Sequence, residues 1–234
     1  MSALEILQRQ IVACERCPRL VAYRAEVGRI KRRAYRDWDY WAKPVPGFGD
    51  PRARLLLIGL APGAHGANRT GRMFTGDSSG DFLYGVLFET GFASQPDSTS
   101  PSDGLKLKDA YISAAVRCAP PDNKPSVEEI RNCRPYLERE LELLNNVKVV
   151  VALGRLAFDV YLRILRDHDT REEDDVPRRS KFVFAHDAEH FTGAGRPLLI
   201  SSYHPSQQNT STGKLTGAMF RAVFQRARGR LQPA

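Results

Sequence analysis

Leu55-Leu56-Leu57-Ile58-Gly59-Leu60-Ala61-Pro62-Gly63-Ala64-His65-Gly66 is the stretch on which the reading of this chain turns. Leu55–Ile58 is a short continuous apolar run and reads as a buried strand. The turn after it is too rich in Gly and Pro to continue as strand or helix. Asn68, Arg69, Thr70 and Arg72 then lead to Phe74-Thr75-Gly76-Asp77-Ser78-Ser79-Gly80. A helix resumes near Ser79, with Phe82, Leu83, Val86 and Leu87 on one face. A strand that feeds a Gly-punctuated loop into a helix N-terminus is where open α/β sheets put their ligands. There the helix entrance offers free N–H groups, and glycine lets backbone approach closely. The loop is not a Walker A loop, since no Gly-Lys-Ser/Thr closes it, and its glycines do not follow Gly-x-Gly-x-x-Gly. Taken singly, Asp77 fits a helix cap and Phe74 fits core packing.

The same apolar signature recurs at Ala110–Val116, Val147–Leu153 and Pro197–Ser202. Between these runs the pattern turns helical. Leu4, Leu7 and Ile11 share a face, a second helix runs through Leu20, Val21 and Tyr23, and Gly91 is placed to stop the helix after the first strand. Ser126 and Glu129 form a capping-box signature ahead of a helix that contains Cys133, Leu141 and Leu144. Leu156–Leu165 and roughly Leu215–Arg230 complete the set. Tyr35–Pro51 reads as an aromatic loop and Ser94–Gly104 as surface loop. Alternation of strand and helix with apolar central strands predicts a single domain over residues 1–234. Its expected form is a three-layer α/β/α sandwich with a four-stranded, mainly parallel central sheet.

A chain of 234 residues with 42% hydrophobic content can bury a proper core. No run reaches the length of a membrane span, and Met1–Ile11 lacks the form of a signal peptide, so a soluble cytosolic chain is expected. Lys and Arg outnumber Asp and Glu by 35 to 27, a formal charge of +8 that suits a polyanionic partner. Basic residues gather at Arg29, Lys31, Arg32, Arg33 and Arg36, and again at Arg221, Arg226, Arg228 and Arg230. The second group, with the 206–214 segment, is the expected phosphate-contacting face. Acids concentrate in Asp167–Asp175, read as a solvated loop.

The four cysteines are Cys14 and Cys17, in a Cys-x-x-Cys turn, and Cys118 and Cys133. A disulfide framework is not expected in so long a chain without secretory signals. Four thiolates suit a tetrahedral zinc ion or an iron–sulfur cluster, and the spacing alone leaves both open.

Together, Gly59–Gly63 and Phe74–Asp77 resemble motif A of the uracil-DNA glycosylase superfamily, above all its family five, the type b enzymes. His204-Pro205-Ser206-Gln207-Gln208-Asn209 is similar to the family's second motif. One short cysteine pair plus two distant cysteines resembles the 4Fe-4S site of families four and five. The resemblance implies a monomeric cytoplasmic enzyme, nucleoid-associated in a prokaryote. It would excise uracil and other deaminated or damaged bases, such as hypoxanthine and ethenocytosine, from double-stranded DNA. It also implies a 4Fe-4S cluster on Cys14, Cys17, Cys118 and Cys133. Two rivals are a non-catalytic iron–sulfur or zinc protein that binds nucleic acid, and a flavodoxin-like nucleotide binder.

Hydrolysis of an N-glycosidic bond needs a carboxylate for the oxocarbenium-like sugar or its attacking water, and a donor for the departing base. Asp77 and His204 are the candidates. The nucleotide must leave the stack, and Phe74 offers a platform for it. Gly63 would bring backbone N–H groups to the base, and Asn123 matches a pocket position. Ser206, Gln207, Gln208 and Asn209 would enter the duplex, while Thr210 and Lys214 would meet phosphates at the start of the basic helix. Family four carries Glu where this chain has Ala61, which leaves water activation to Asp77. Stricter uracil readers hold Asn where this chain has Ala114, which predicts a permissive pocket.

Overall fold

A computed structural model describes residues 1–167 and 182–232. The expected acidic loop therefore lies outside the described residues beyond Asp167. Six strands form one sheet: β1 (Phe48–Gly49), β2 (Leu55–Gly59), β3 (Ala110–Ala114), β4 (Val149–Leu153), β5 (Ala188–His190) and β6 (Leu198–Ser202), in the spatial order β1-β3-β2-β4-β6-β5. The four expected strands are all present, and they are mutually parallel. The four-stranded reading is nonetheless corrected, because β1 and β5 add one antiparallel strand at each edge. Runs of two and three residues leave no room for the alternation that announces a strand in sequence.

Alternate residues along β2 show why these segments had to be central. Leu55 and Leu57 pack with Ile112, Val149, Val151 and Ile200 in one core, and Leu56 and Ile58 pack with Tyr111, Val150, Ala152 and Leu199 in the other. The four central strands are buried on both faces, so both faces are mostly apolar. The first core is closed by α4 (Ser78–Glu89) and α8 (Gly217–Leu231), through Leu83, Leu87, Phe220 and Phe224. The second is closed by α1 (Ala3–Val12), α5 (Val127–Leu143) and α6 (Arg155–Asp167), through Leu7, Ile11, Leu137, Phe158 and Tyr161. The helix α2 (Pro18–Ile30) adds Leu20 to that side. The capping box at Ser126 and Glu129 forms as the sequence indicates, and Ser2 and Glu5 make another on α1. Two short helices, α3 (Ala67–Thr70) and α7 (Gln207–Ser211), lie inside the two motif loops, where too few residues are helical to leave a periodicity.

From β2 the chain passes to β3 on one side, then crosses back to β4 on the other. The crevice at the carboxyl ends of β2 and β4 is thus a topological switch point, the position at which such sheets bind ligands. Among the described residues no helix is long and apolar enough to cross a membrane.

Candidate active site

A large cleft, open to solvent, sits at that switch point. Each central strand contributes to it at its carboxyl end. Gly59–Ala67 comes from β2, Ala114 from β3, Leu153–Leu156 from β4 and His204 with Ser206–Gln208 from beyond β6, while Phe74, Asp77 and Asn123 complete the wall.

Asp77 is the N-cap of α4. Its Oδ1 accepts a hydrogen bond from the Gly80 amide at 3.0 Å, so the capping role is real. Its Oδ2 does something a cap does not need. A Cβ on Gly66 would collide with this carboxylate, and one on Gly63 would lie 2.8 Å from Oδ2. The motif glycines therefore leave the hole into which the carboxylate is threaded. Burial raises the Asp77 pKa, while the amides of Gly80 and Ser79 pull the other way.

Phe74 adopts φ +52, a left-handed conformation rare for an aromatic residue. Its carbonyl occupies the place where a Cβ on Gly80 would stand, and a Cβ on Gly59 would come within 3.0 Å of its ring. Phe74 is half-buried against the first core, with its ring centroid 5.9 Å from that of His204. His204 follows β6 and packs on Gly154, whose φ of +97 and missing Cβ let the imidazole lie close. Burial pushes the His204 pKa down to about 4, so the ring is neutral at physiological pH. Neutral imidazole keeps one N–H to donate.

Ala114 is buried at the end of β3, beside Gly59. Asn123 is exposed at the end of a 3-10 turn, Pro121–Asn123, with φ +56, so it is both a turn residue and part of the cleft wall. Ser206 caps α7, and Gln207 and Gln208 are exposed on the rim. Asn209 and Thr210 do not line the cleft. The Asn209 amide donates to the His204 carbonyl at 2.9 Å, and the Thr210 hydroxyl donates to Ser206 O at 3.2 Å. Thr210 and Lys214 do not open the basic helix, which starts at Gly217. The Lys214 ammonium instead lies 5.0 Å from the centre of the Tyr203 ring.

The two basic groups separate sharply. Arg221 pairs with Glu89, Arg226 with Asp187 at 2.8 Å and Arg230 with Glu189 at 2.7 Å. Arg228 lies over the Phe92 ring and donates to the Thr90 carbonyl. None of the four lines the cleft, and three of them meet local carboxylates. In the first group Arg29 pairs with Glu26 at 2.7 Å, but Arg32, Arg33 and Arg36 meet no carboxylate within ion-pair distance among the described residues. Their segment is tied to the cleft, since the Tyr40 hydroxyl sits 3.0 Å from His65 Nδ1. Burial first, and then the charges of Arg32 and Arg69, hold the His65 pKa below the usual imidazole range.

A family model described as the uracil DNA glycosylase superfamily matches residues 46–228, which includes the four central strands and the loops that carry Asp77 and His204. The chain belongs to this superfamily. Curated relatives place it among the type-5 members. A type-5 uracil-DNA glycosylase of Thermus thermophilus is 52% identical over 96% of both chains, and one of Pyrobaculum aerophilum is 44% identical over 93% of this chain and 89% of its own. A type-4 uracil-DNA glycosylase of Archaeoglobus fulgidus is 30% identical over 67% of this chain and 62% of its own. The expected family is borne out, and the non-catalytic alternative is not favoured.

In this glycosylase-superfamily chain all four cysteines are free and gather around one small pocket. Cys14 and Cys17 join α1 to α2, Cys118 follows β3, and Cys133 stands on α5. Among the described residues no three His, Cys, Asp or Glu side chains converge closely enough for a single metal ion. A tetrahedral zinc site needs four ligand atoms at once within bonding distance of one centre. Several features suit a larger thiolate-ligated group. Cys133 Sγ accepts from the Arg117 amide at 3.3 Å, Cys17 Sγ from Asn132 Nδ2 at 3.7 Å, and Cys118 Sγ from Arg24 Nη1 at 3.8 Å. Arg24 is buried there with its Nε lacking a partner, whereas the buried Arg117 guanidinium is ion-paired with Glu140. Burial pushes the thiols up, Cys118 to about 12 and Cys133 to about 11, so their thiolates need positive charge beside them.

Sequence reasoning missed Arg69 and Arg72. Arg72 makes a two-toothed ion pair with Asp103 and also binds Thr75 and Ser98, while Gly76 N donates to Ser98 O. The expected surface loop Ser94–Gly104 is therefore a brace for the motif loop. Its Ser/Pro/Asp composition gives no sign of this.

Proposed function

We propose that this protein is a monofunctional DNA glycosylase that hydrolyses the N-glycosidic bond of uracil in double-stranded DNA, initiating base excision repair. The observation that carries the reading is one cleft that joins a desolvated carboxylate, a neutral imidazole and a half-buried aromatic ring. Family membership agrees with it. The base enters the cleft after flipping, because its glycosidic carbon is out of reach in a stacked duplex. Phe74 stacks on it in place of the lost neighbours, and Gly63, with its neighbouring amides, meets its polar edge. Asp77 stabilises positive charge on the sugar or aims a water at the anomeric carbon. His204 donates its N–H to the base oxygen on which negative charge grows, and as a neutral donor it needs no prior protonation. Ser206, Gln207 and Gln208 stand where the rim faces the duplex, and Arg32, Arg33 and Arg36 face its phosphates. Asn209 supports the reacting group by holding the His204 carbonyl. Ala114 offers no side-chain polar group to reject a mismatched base, so the pocket also admits hypoxanthine and ethenocytosine.

We further infer that Cys14, Cys17, Cys118 and Cys133 hold a 4Fe-4S cluster. Its chemistry there is structural. Four thiolates bound to one group would tie α1 and α2 to β3 and α5, and the buried guanidinium of Arg24, which donates to Cys118 Sγ, would offset part of the cluster's negative charge. Protein purified without oxygen should be brown and carry about four iron atoms per chain. Colourless protein with one zinc would overturn the assignment.

The functional reading is tested by incubating the protein with a duplex that carries one uracil and then cleaving abasic sites with alkali. Strand breaks at the uracil, with free uracil released, are expected. An intact strand under enzyme excess would overturn the reading.

A further inference from the structure

Arg69 is 3% exposed on α3, yet no carboxylate pairs with it among the described residues. Its guanidinium is held between two aromatic rings, with its central carbon 3.9 Å from the Tyr35 centroid and 4.1 Å from that of Trp38. Nε donates to the His65 carbonyl at 2.7 Å and Nη2 to the Gly76 carbonyl at 2.7 Å, while Nη1 is buried without a partner. These two carbonyls stand on opposite sides of the motif loop. The Gly76 carbonyl belongs to the peptide whose nitrogen is that of Asp77. Gly76 itself has φ +81, and a Cβ there would collide with Nη2, so the close approach of guanidinium and backbone requires glycine.

We propose that Arg69 is a positioning residue for Asp77: clamped between Tyr35 and Trp38, it locks the peptide from which Asp77 springs and sets a fixed positive charge behind the carboxylate. The inference rests on the glycosylase reading of the cleft. It gives the aromatic segment before β2 a task, since cation–π contact is strongest where the cation is desolvated. A planar fork serves where a lysine would not, because two carbonyls must be held from one side chain. The charged side chains acting on Asp77 are Arg69, which favours its ionised form, and Asp81 on α4, which opposes it. His65 and His204 share the cleft, both with lowered pKa values, and add no charge near neutrality. The amides of Gly80 and Ser79 do most to offset burial of the carboxylate, and Arg69 is the cation that adds to them.

The test is single-turnover base release from a uracil duplex as a function of pH, for wild type, Arg69→Met and Arg69→Lys, with the melting temperature of each. Arg69→Met should lower the plateau rate about tenfold or more through misplacement of Asp77. It should also move the acid limb to higher pH, as removal of an opposite charge does. Arg69→Lys should keep the acid limb near that of wild type with a reduced plateau. A purely structural role predicts a lower melting temperature with an unmoved acid limb, so a folded Arg69→Met with the wild-type limb and plateau overturns the inference. If Arg69→Met does not fold, Trp38→Leu replaces it: the cation and both hydrogen bonds stay, and a smaller fall in plateau rate is expected. A wild-type plateau in Trp38→Leu overturns the clamp. Wild type that releases no base condemns the functional reading instead, and an Asp77→Asn variant of full activity condemns the role of Asp77.

Discussion

Charge is kept in two different ways on the two sides of this molecule. Along α8 each of three arginines has its own carboxylate, Arg221 with Glu89, Arg226 with Asp187 and Arg230 with Glu189. At the start of β2, Arg54 grips Asp109 and the Leu231 carbonyl in the same manner. Around the cleft Arg72 pairs with Asp103, but several other charges have no side-chain ion pair. Asp77 is held by backbone amides, Arg69 by aromatic rings, and Arg32, Arg33 and Arg36 face solvent. A paired charge is already neutralised and projects little field, whereas an unpaired one remains available to a phosphate or a transition state. Net charge counted along the chain hides that distinction.

The largest effect should come from the cleft side. His204→Ala removes the donor to the departing base and should cut the single-turnover rate by roughly 10²–10³. Arg226→Ala and Arg230→Ala remove exposed pairs. Each should leave the rate unchanged and lower stability by no more than about 1 kcal/mol in a denaturant melt. Comparable rate losses on both sides would break the comparison. The pH profile sharpens it further. Because burial holds the His204 pKa near 4, its ring is already neutral above that pH, and release of a proton from it cannot shape the profile at higher pH. The rate should rise with pH as Asp77 ionises, at a pH above the ordinary aspartate range. It should then show no limb at about 6.5, where a free imidazole titrates.

Gly66→Ala should come next. Its Cβ enters the space of the Asp77 carboxylate, and a displacement on that scale costs about 10²-fold in rate. Binding to uracil-containing DNA should change little, which a filter or fluorescence titration checks. In the third test, log affinity is plotted against log salt. Replacing Arg32, Arg33 and Arg36 together with Ala should flatten the slope by about 0.9 for each phosphate that is no longer neutralised. Replacing Arg226 and Arg230 together should leave it unmoved, and the opposite result would return the phosphate face to the last helix. The smallest effect belongs to Ala114→Asn. It should raise preference for uracil over hypoxanthine by some part of the ~1–3 kcal/mol that one buried hydrogen-bonding group can carry, read as the ratio of single-turnover rates.

What the sequence makes legible follows from the range of the forces involved. Val149–Leu153 and Leu55–Ile58 are strands because every residue must be apolar between two helical layers, and that demand is written locally. The association of Asp77 with His204 is legible only through two motifs, since their meeting depends on strand order rather than spacing. Phe48–Gly49 and Ala188–His190 are not legible, because edge strands this short are made by pairing with a neighbour. Nor is the neutralisation of Arg221, Arg226 and Arg230, whose partners lie far away in sequence. In the sequence Arg69 is only a polar loop residue. Tyr35 and Trp38 are distant in the chain, and nothing in their spacing names the cation between them.

Asp77 carries the central claim. The measurement is single-turnover release of uracil from a duplex under saturating enzyme, comparing wild type with Asp77→Asn, which keeps the shape and the α4 cap but removes the charge. A fall of roughly 10²-fold or more is predicted, with DNA affinity held. An Asp77→Asn enzyme of near wild-type rate would contradict it, since the carboxylate threaded between Gly63 and Gly66 would then be a helix cap alone.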